Sequence, residues 1–339
     1  MRARGACAVG SKDPARPGPP PLPPYRGDSH DEMMTIVNRT QEPVLVGVDG
    51  SGSALDAVRW AAREAARRHA RLRLINAFEW VPMSDLGDPR LAMNYGITSR
   101  EVLQDNARVF VDDAAAAAAQ VAPGVEVTGD VLTGYPVTEL VAQSAHAQLV
   151  VIGDRGLGGF TGLLVGSVAV ALAAHAACPV VAVRGAVAGG PPPLDGPVVV
   201  GVDGSPTSEA ALAFAFEAAA MRRAPLVAVH TWQDFVVDVV MSPLLDWDAV
   251  EVEERQILAE RLAGWGEKYP DVQVQRVVTK DRPAHALVEQ SAGAQLVVVG
   301  SRGRGALPGL VLGSVSHALL HHAKCPVAVV RPDAADDPR

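Results

Sequence analysis

The chain has 339 residues, long enough for two domains of ordinary size, and 48% of them are apolar, enough for a sizeable core. Aromatics are scarce at 4% while alanine and valine dominate, which suits thin α/β layers better than an aromatic-rich all-β sandwich. A formal charge of -8 argues against a general nucleic-acid or membrane-surface binder, which needs a basic face; a local phosphate site built from backbone N–H groups stays open.

Residues 1–40 include "DPARPGPPPLPPYRGD", too proline-rich for a packed element and without the apolar stretch of a secretory signal. They read as a disordered tail, or as an upstream extension that is not translated, with Met33 or Met34 as the true start. Residues 44–48 are continuously apolar, as expected of a strand covered on both faces. Ser51 or Ser53 can cap the helix that follows to about His69. A second strand is expected over 72–78, then a helix over 98–120 with Thr98 and Glu101 placed for a capping box. Its "DDAAAAAA" run is helix-forming composition, not a site. A third strand over 129–133 leads past Pro136 to a short helix in "TELVAQSAH". A strand over 149–152, a helix over 166–177 and a strand over 180–184 complete the series. A glycine- and proline-rich linker, 187–197, follows.

Then the pattern starts again. "VLVGVDGSGSALDAVRW" from Val44 lines up with "VVVGVDGSPTSEAALAF" from Val198, 154 positions later, and "GDRGLGGFTGLLVGS" from Gly153 lines up with "GSRGRGALPGLVLGS" from Gly300, 147 later. The unit is a whole domain, so the chain reads as a tandem duplication: domain 41–186, domain 198–332 and a tail 333–339. Alternating strands and helices imply a parallel sheet with right-handed crossovers in each copy.

The first copy reads Gly153-Asp154-Arg155-Gly156, then nine residues beginning Leu157-Gly158-Gly159, then Gly166-Ser167-Val168. The second reads Gly300-Ser301-Arg302-Gly303, nine residues beginning Arg304-Gly305-Ala306, then Gly313-Ser314-Val315. A glycine-rich turn lets backbone N–H groups surround phosphate oxygens, and the next helix adds its own N–H groups and dipole. In an open parallel sheet the ligand crevice lies where the strand order reverses. The first and fourth strands flank it, so Asp49 and Asp203 are expected to face the glycine loops across it. A carboxylate there can accept ribose hydroxyls or hold a phosphate-bound Mg²⁺. The competing readings are plain turn residues for the aspartates and glycines, and exposed loop charges for Arg155 and Arg302. The P-loop lysine and the dinucleotide fingerprint are absent.

Cys7, Cys178 and Cys325 have no CxxC or metal spacing; the last two each open a "CPV" and read as small buried apolar residues in a reducing compartment. No apolar run is long enough to span a membrane, and the chain reads as cytoplasmic. His317 and His321 are four apart, but their counterparts are Val170 and Ala174 and no third ligand is evident, so they read as surface or helix-end histidines. The segment 235–255 mixes apolar and acidic residues, as a lid or a partner surface would.

On these motifs the chain from Pro43 to Arg331 resembles the universal stress protein family, most closely its tandem-domain actinobacterial members. The resemblance implies an adenine nucleotide alpha hydrolase-like fold: two copies of a five-stranded parallel sheet, order 3-2-1-4-5, with helices on both faces. It implies ATP as ligand at one site per domain, beside which the aspartate carboxylate could hold Mg²⁺. Gly47 and Asp49 would lie by the nucleoside, the end of the second strand near Ala77 by adenine, and Gly153, Arg155, Gly156, Gly166, Ser167 and Val168 by the phosphates. In the second copy the set is Gly201, Asp203, Thr231, Gly300, Arg302, Gly303, Gly313, Ser314 and Val315. It also implies pairing of the fifth strands into an intrachain pseudo-dimer, a homodimer as a further state, and a regulatory role in stress and slow growth, exerted on a protein partner the sequence does not name. An enzyme of slow ATP hydrolysis or nucleotide-dependent transfer, and a nucleotide-free interaction scaffold, are the other readings.

Overall fold

The computed structural model describes residues 41–80, 100–156, 165–184, 193–232, 247–304 and 311–332. The proline-rich tail, Thr98 of the capping box, most of the 235–255 segment, and Leu157, Gly158, Gly159, Gly305 and Ala306 of the glycine loops lie outside the described residues.

The first half runs β1 (Val44–Gly47), α1 (Gly52–Arg68), β2 (Leu72–Phe78), α2 (Arg100–Val121), β3 (Val127–Thr133), α3 (Pro136–Gln143), β4 (Leu149–Gly153), α4 (Ser167–His175) and β5 (Val180–Val183). The second runs β6 (Val198–Gly201), α5 (Pro206–Arg222), β7 (Leu226–Thr231), α6 (Trp247–Lys268), β8 (Val274–Thr279), α7 (Pro283–Gln290), β9 (Leu296–Gly300), α8 (Ser314–His322) and β10 (Val327–Val330). Ser51, not Ser53, caps α1: its Oγ accepts from the Ala54 amide at 3.1 Å, and Ser205 does the same for α5 with Ser208 at 3.2 Å. Pro136 opens α3 instead of preceding it, since proline's missing N–H costs nothing at the first helical position. The last residues of "TELVAQSAH" form a separate 3₁₀ turn, Ser144–His146.

Each half is parallel, in the order β3-β2-β1-β4-β5 and β8-β7-β6-β9-β10, and the two halves join into one ten-stranded sheet. The join is antiparallel, with Val180 opposite Val329, Val181 opposite Ala328 and Ala182 opposite Val327. Both fifth strands are fully buried, so the pairing removes two exposed edges that would otherwise invite aggregation. The inner strands β1, β4, β5, β6, β9 and β10 are apolar because helices cover both faces, while the edge strands β3 and β8 carry polar, exposed residues. One face is a continuous core crossing the join, in which Val44, Val46, Trp60 and Ala61 pack with Val198, Val200, Leu212 and Phe216.

That shared core contains one buried carboxylate. Glu64 of α1 is fully buried and accepts from Arg68 at 2.8 Å and, across the join, from Arg222 of α5 at 2.6 Å. Arg68 lies over the Phe214 ring at 5.3 Å and Arg222 over the Trp60 ring at 5.6 Å. Burial pushes the Glu64 carboxyl up; the Arg222 and Arg68 guanidiniums, with Arg67 behind them, outweigh it and hold the group below the usual carboxylate range.

Candidate nucleotide site

The second half shows the site in most detail. Strand β6 ends at Gly201, and Val202 still pairs with Val229 through its amide. Gly204 then turns the chain with φ +75, a conformation that costs glycine little, and Ser205 starts α5. The tightness of that turn aims Asp203 back across the crevice. Its Oδ1 accepts from the Ser205 amide at 2.9 Å and hydroxyl at 2.6 Å, and its Oδ2 from the Arg304 amide at 3.0 Å. Asp203 therefore bridges the end of the first strand and the glycine loop, as the switch-point argument requires.

The loop glycines are needed because these parts are so close. A Cβ on Gly303 would stand 2.6 Å from Asp203 Oδ2, and one on Gly300 would meet Thr207 at 2.7 Å. The Gly313 amide bonds back to the Ser301 carbonyl at 2.7 Å, and Gly313 starts α8 with no side-chain cap. The first amides of α8 at Ser314, Val315 and Ser316 are therefore left for a ligand, at the positive end of the helix dipole.

Between these parts lies a cavity of about 620 Å³. Of the residues singled out from sequence, it brings together Gly201, Asp203, Thr231, Gly300, Arg302, Gly303, Arg304, Gly313, Ser314 and Val315. It leaves out Ser301, which is buried at 1% exposure and turned away from it. Sequence reasoning missed the apolar lining residues Val202, Val229, Pro283, Leu287 and Val299, and also Ser316 and Ser208, whose hydroxyl accepts from the Asp203 amide at 3.1 Å. The apolar lining was detectable in principle, because Val229 and Val299 each lie two residues or fewer from a chosen site residue on a strand.

The first half repeats the frame. Asp49 Oδ1 accepts from the Ser51 amide at 3.0 Å, and a Cβ on Gly156 would stand 2.5 Å from Asp49 Oδ2. Gly50 turns with φ +84. Gly166 precedes α4 and bonds to the Asp154 carbonyl at 2.7 Å, with Ser167 and Val168 in the first turn. Gly47 is buried at the end of β1, where a Cβ would press on Leu140 at 3.1 Å, and Ala77 sits near the end of β2. Asp154 departs from its counterpart: its carboxylate is nearly buried and takes the Ser53 hydroxyl at 2.8 Å, with Arg184 at 3.5 Å and Arg155 at 3.8 Å. The Arg184 guanidinium also donates to the Leu320 carbonyl of α8 at 3.2 Å, across the join.

Two stretches, 41–184 and 196–331, match the universal stress protein family. The chain belongs to that family. Universal stress protein Rv2005c of Mycobacterium tuberculosis is 44% identical over 301 residues, covering 86% of this chain and 98% of its own length. Universal stress protein Rv2623 of the same organism is 43% identical over 291 residues, covering 85% of this chain and 96% of its own. A universal stress protein from Archaeoglobus fulgidus has the same fold at TM-score 0.62 and 18% identity, covering 88% of this chain and 99% of that one. Tandem universal stress protein domains thus account for the repeat, and the doubled 3-2-1-4-5 sheet is the family fold.

Other features have structural roles. Cys325 is buried, and burial pushes its thiol up to about 12. The His317 and His321 rings lie 4.6 Å apart on α8. Among the described residues no group of three His, Cys, Asp or Glu could hold a metal ion, and no helix is long and apolar enough to cross a membrane.

Proposed function

We propose that this universal stress protein binds adenine nucleotide, ATP with Mg²⁺ in the first instance, at one site in each half, and acts as a cytoplasmic regulator in the stress response. The observation that carries the reading is the packing of Asp203 against Gly303, where a Cβ would stand 2.6 Å from Oδ2, beside a cavity of about 620 Å³; Asp49 and Gly156 repeat it, with a Cβ at 2.5 Å. The cavity is of the size that holds a small-molecule cofactor, and its chemistry is graded along its length. The Val229, Val299 and Leu287 floor suits a base, with the Thr231 backbone to read its edge. The Asp203 carboxylate suits the ribose hydroxyls. The Gly303 and Ser314 to Ser316 amides suit the phosphates. In the first half Gly47, Asp49, Ala77, Gly153 to Gly156, Gly166, Ser167 and Val168 would take the corresponding parts.

Nucleotide binding would order the glycine loops, and that change would be read by a partner or by an oligomer. Among the described residues around the cavity there is no nucleophile–base pair suited to rapid turnover, so hydrolysis would be slow. The test is native mass spectrometry of the freshly purified chain, with release and chromatography of anything bound. Two adenine nucleotides per chain support the reading. A protein that is empty and ignores added ATP overturns it in favour of an interaction scaffold.

A further inference from the structure

The two halves share their glycines and aspartate but not the charge around them. A Cβ on Gly204 would meet two guanidiniums at once: Arg304 Nη2 at 2.8 Å and Arg261 Nη2 at 2.9 Å. Arg304 follows the glycine loop and lines the cavity; Arg261 reaches in from α6 and is paired with Glu209 at 3.1 Å. Two like charges thus converge on the turn that carries Asp203, and one of them, Arg304, lines the cavity. Such convergence is favourable where an anion lies between them.

Among its described residues the first half has nothing equivalent. Leu157 stands at the position of Arg304 and Ala114 at that of Arg261. The space against Gly50 is filled by the Phe110 ring, which a Cβ there would meet at 2.5 Å. The first loop also has Asp154 where the second has Ser301. That carboxylate engages Arg155 and Arg184, whereas Ser301 is uncharged. Glu209, against Leu55, is a difference of opposite sign. Over these four positions the second surround is more positive by two charges.

Resting on the reading that each half binds an adenine nucleotide, and replacing ATP as the ligand of the first half, we propose that the two sites have different ligands. The second is a nucleoside triphosphate site in which Arg261 and Arg304 take the terminal phosphate. The first takes an adenine nucleotide of lower charge, a monophosphate, beside Phe110. Arg261 and Arg304 are then specificity-determining residues: they select for the phosphate tail without touching the base or ribose.

The experiment is isothermal titration of the full chain with ATP and with AMP, using wild type, Arg261→Ala, R261A/R304A and Asp154→Ser. Hydrogen exchange over 300–304 and 313–318, against 154–156 and 165–170, assigns each binding event to its half. The expected result is a second site that prefers ATP and a first site that prefers AMP. R261A/R304A lowers the ATP-to-AMP preference of the second site by about tenfold, as the loss of charge-assisted contacts should. Asp154→Ser raises the affinity of the first site for ATP. Arg261 and Arg304 are exposed enough for both variants to fold, and a melting curve checks this. Equal preferences at the two sites, or an ATP preference that survives R261A/R304A, overturns the proposal and leaves nucleotide binding intact. Failure of both nucleotides to bind either half of the wild type overturns nucleotide binding itself, and the proposal with it.

Discussion

The two halves of the sheet place the same backbone in the same order, yet their buried polar side chains differ. At the end of the second strand, Asn76 donates to the Val48 carbonyl at 2.8 Å; His230, its counterpart, meets the Val202 carbonyl at 2.7 Å and also reaches Glu254 of α6 at 2.8 Å. On the first helix Glu64 serves both halves, and its counterpart is Ala218. The turn glycines Gly50 and Gly204, the aspartates Asp49 and Asp203, and the loop glycines Gly153, Gly156 and Gly166 with their counterparts Gly300, Gly303 and Gly313 do not differ. Residues that set backbone geometry at the crevice are alike in both copies, and the side chains that only support them vary. A site made chiefly of N–H groups tolerates this, because its donors belong to the chain itself.

The sharpest way to break the comparison is at Glu64. Glu64→Ala should cost about 3–5 kcal/mol, because it strips the partner from guanidiniums that are 6% and 2% exposed. The urea midpoint should fall with an unchanged slope. The effect has a pH signature. A carboxyl held below its ordinary value contributes stability above the unfolded pKa of about 4.3 and loses it as pH falls through the folded one. The gap between wild type and Glu64→Gln should therefore close in acid and be full at neutral pH.

Next in size are Gly156→Ala and Gly303→Ala. Each adds a methyl within 2.6 Å of an aspartate oxygen, and each should weaken nucleotide binding in its own half by about tenfold or more, with the circular dichroism spectrum preserved. An unchanged affinity in the double variant would remove the glycine loops from the binding reading. His230→Asn writes the first half's residue into the second. It keeps a donor for the Val202 carbonyl but gives up Glu254, which should cost about 1 kcal/mol in the melting transition. The smallest effect concerns Cys325, whose thiol should not react with a maleimide at pH 8 in the folded chain and should react in urea.

Much of this architecture is legible in local sequence. The apolar runs at 44–47 and 198–201 and the serine before each first helix specify strand, turn and helix within a few residues. The facing of Asp203 and Gly303 was also legible, because the glycine spacing and the strand order determine it together. What local sequence leaves open depends on partners far along the chain. Nothing near Glu64 announces Arg222, 158 positions away. Nothing near Gly204 announces Arg261, because α6 reaches it only after the sheet has formed. Ser53 was an equal candidate for the cap until Asp154, 101 positions on, engaged its hydroxyl.

The position of Glu64 bears on ancestry. Arg68 and Arg222 are equivalent residues of the two copies, and one carboxylate lies between them. A dimer of identical chains obeys its symmetry axis, so a glutamate at this place would appear twice, and two carboxylates would crowd the same few ångströms. Fusion into one polypeptide lifts that rule. One copy can keep the acid and the other discard it, and each is then open to selection by itself. The covalent link thus does more than hold two domains together: it releases them from having to be the same.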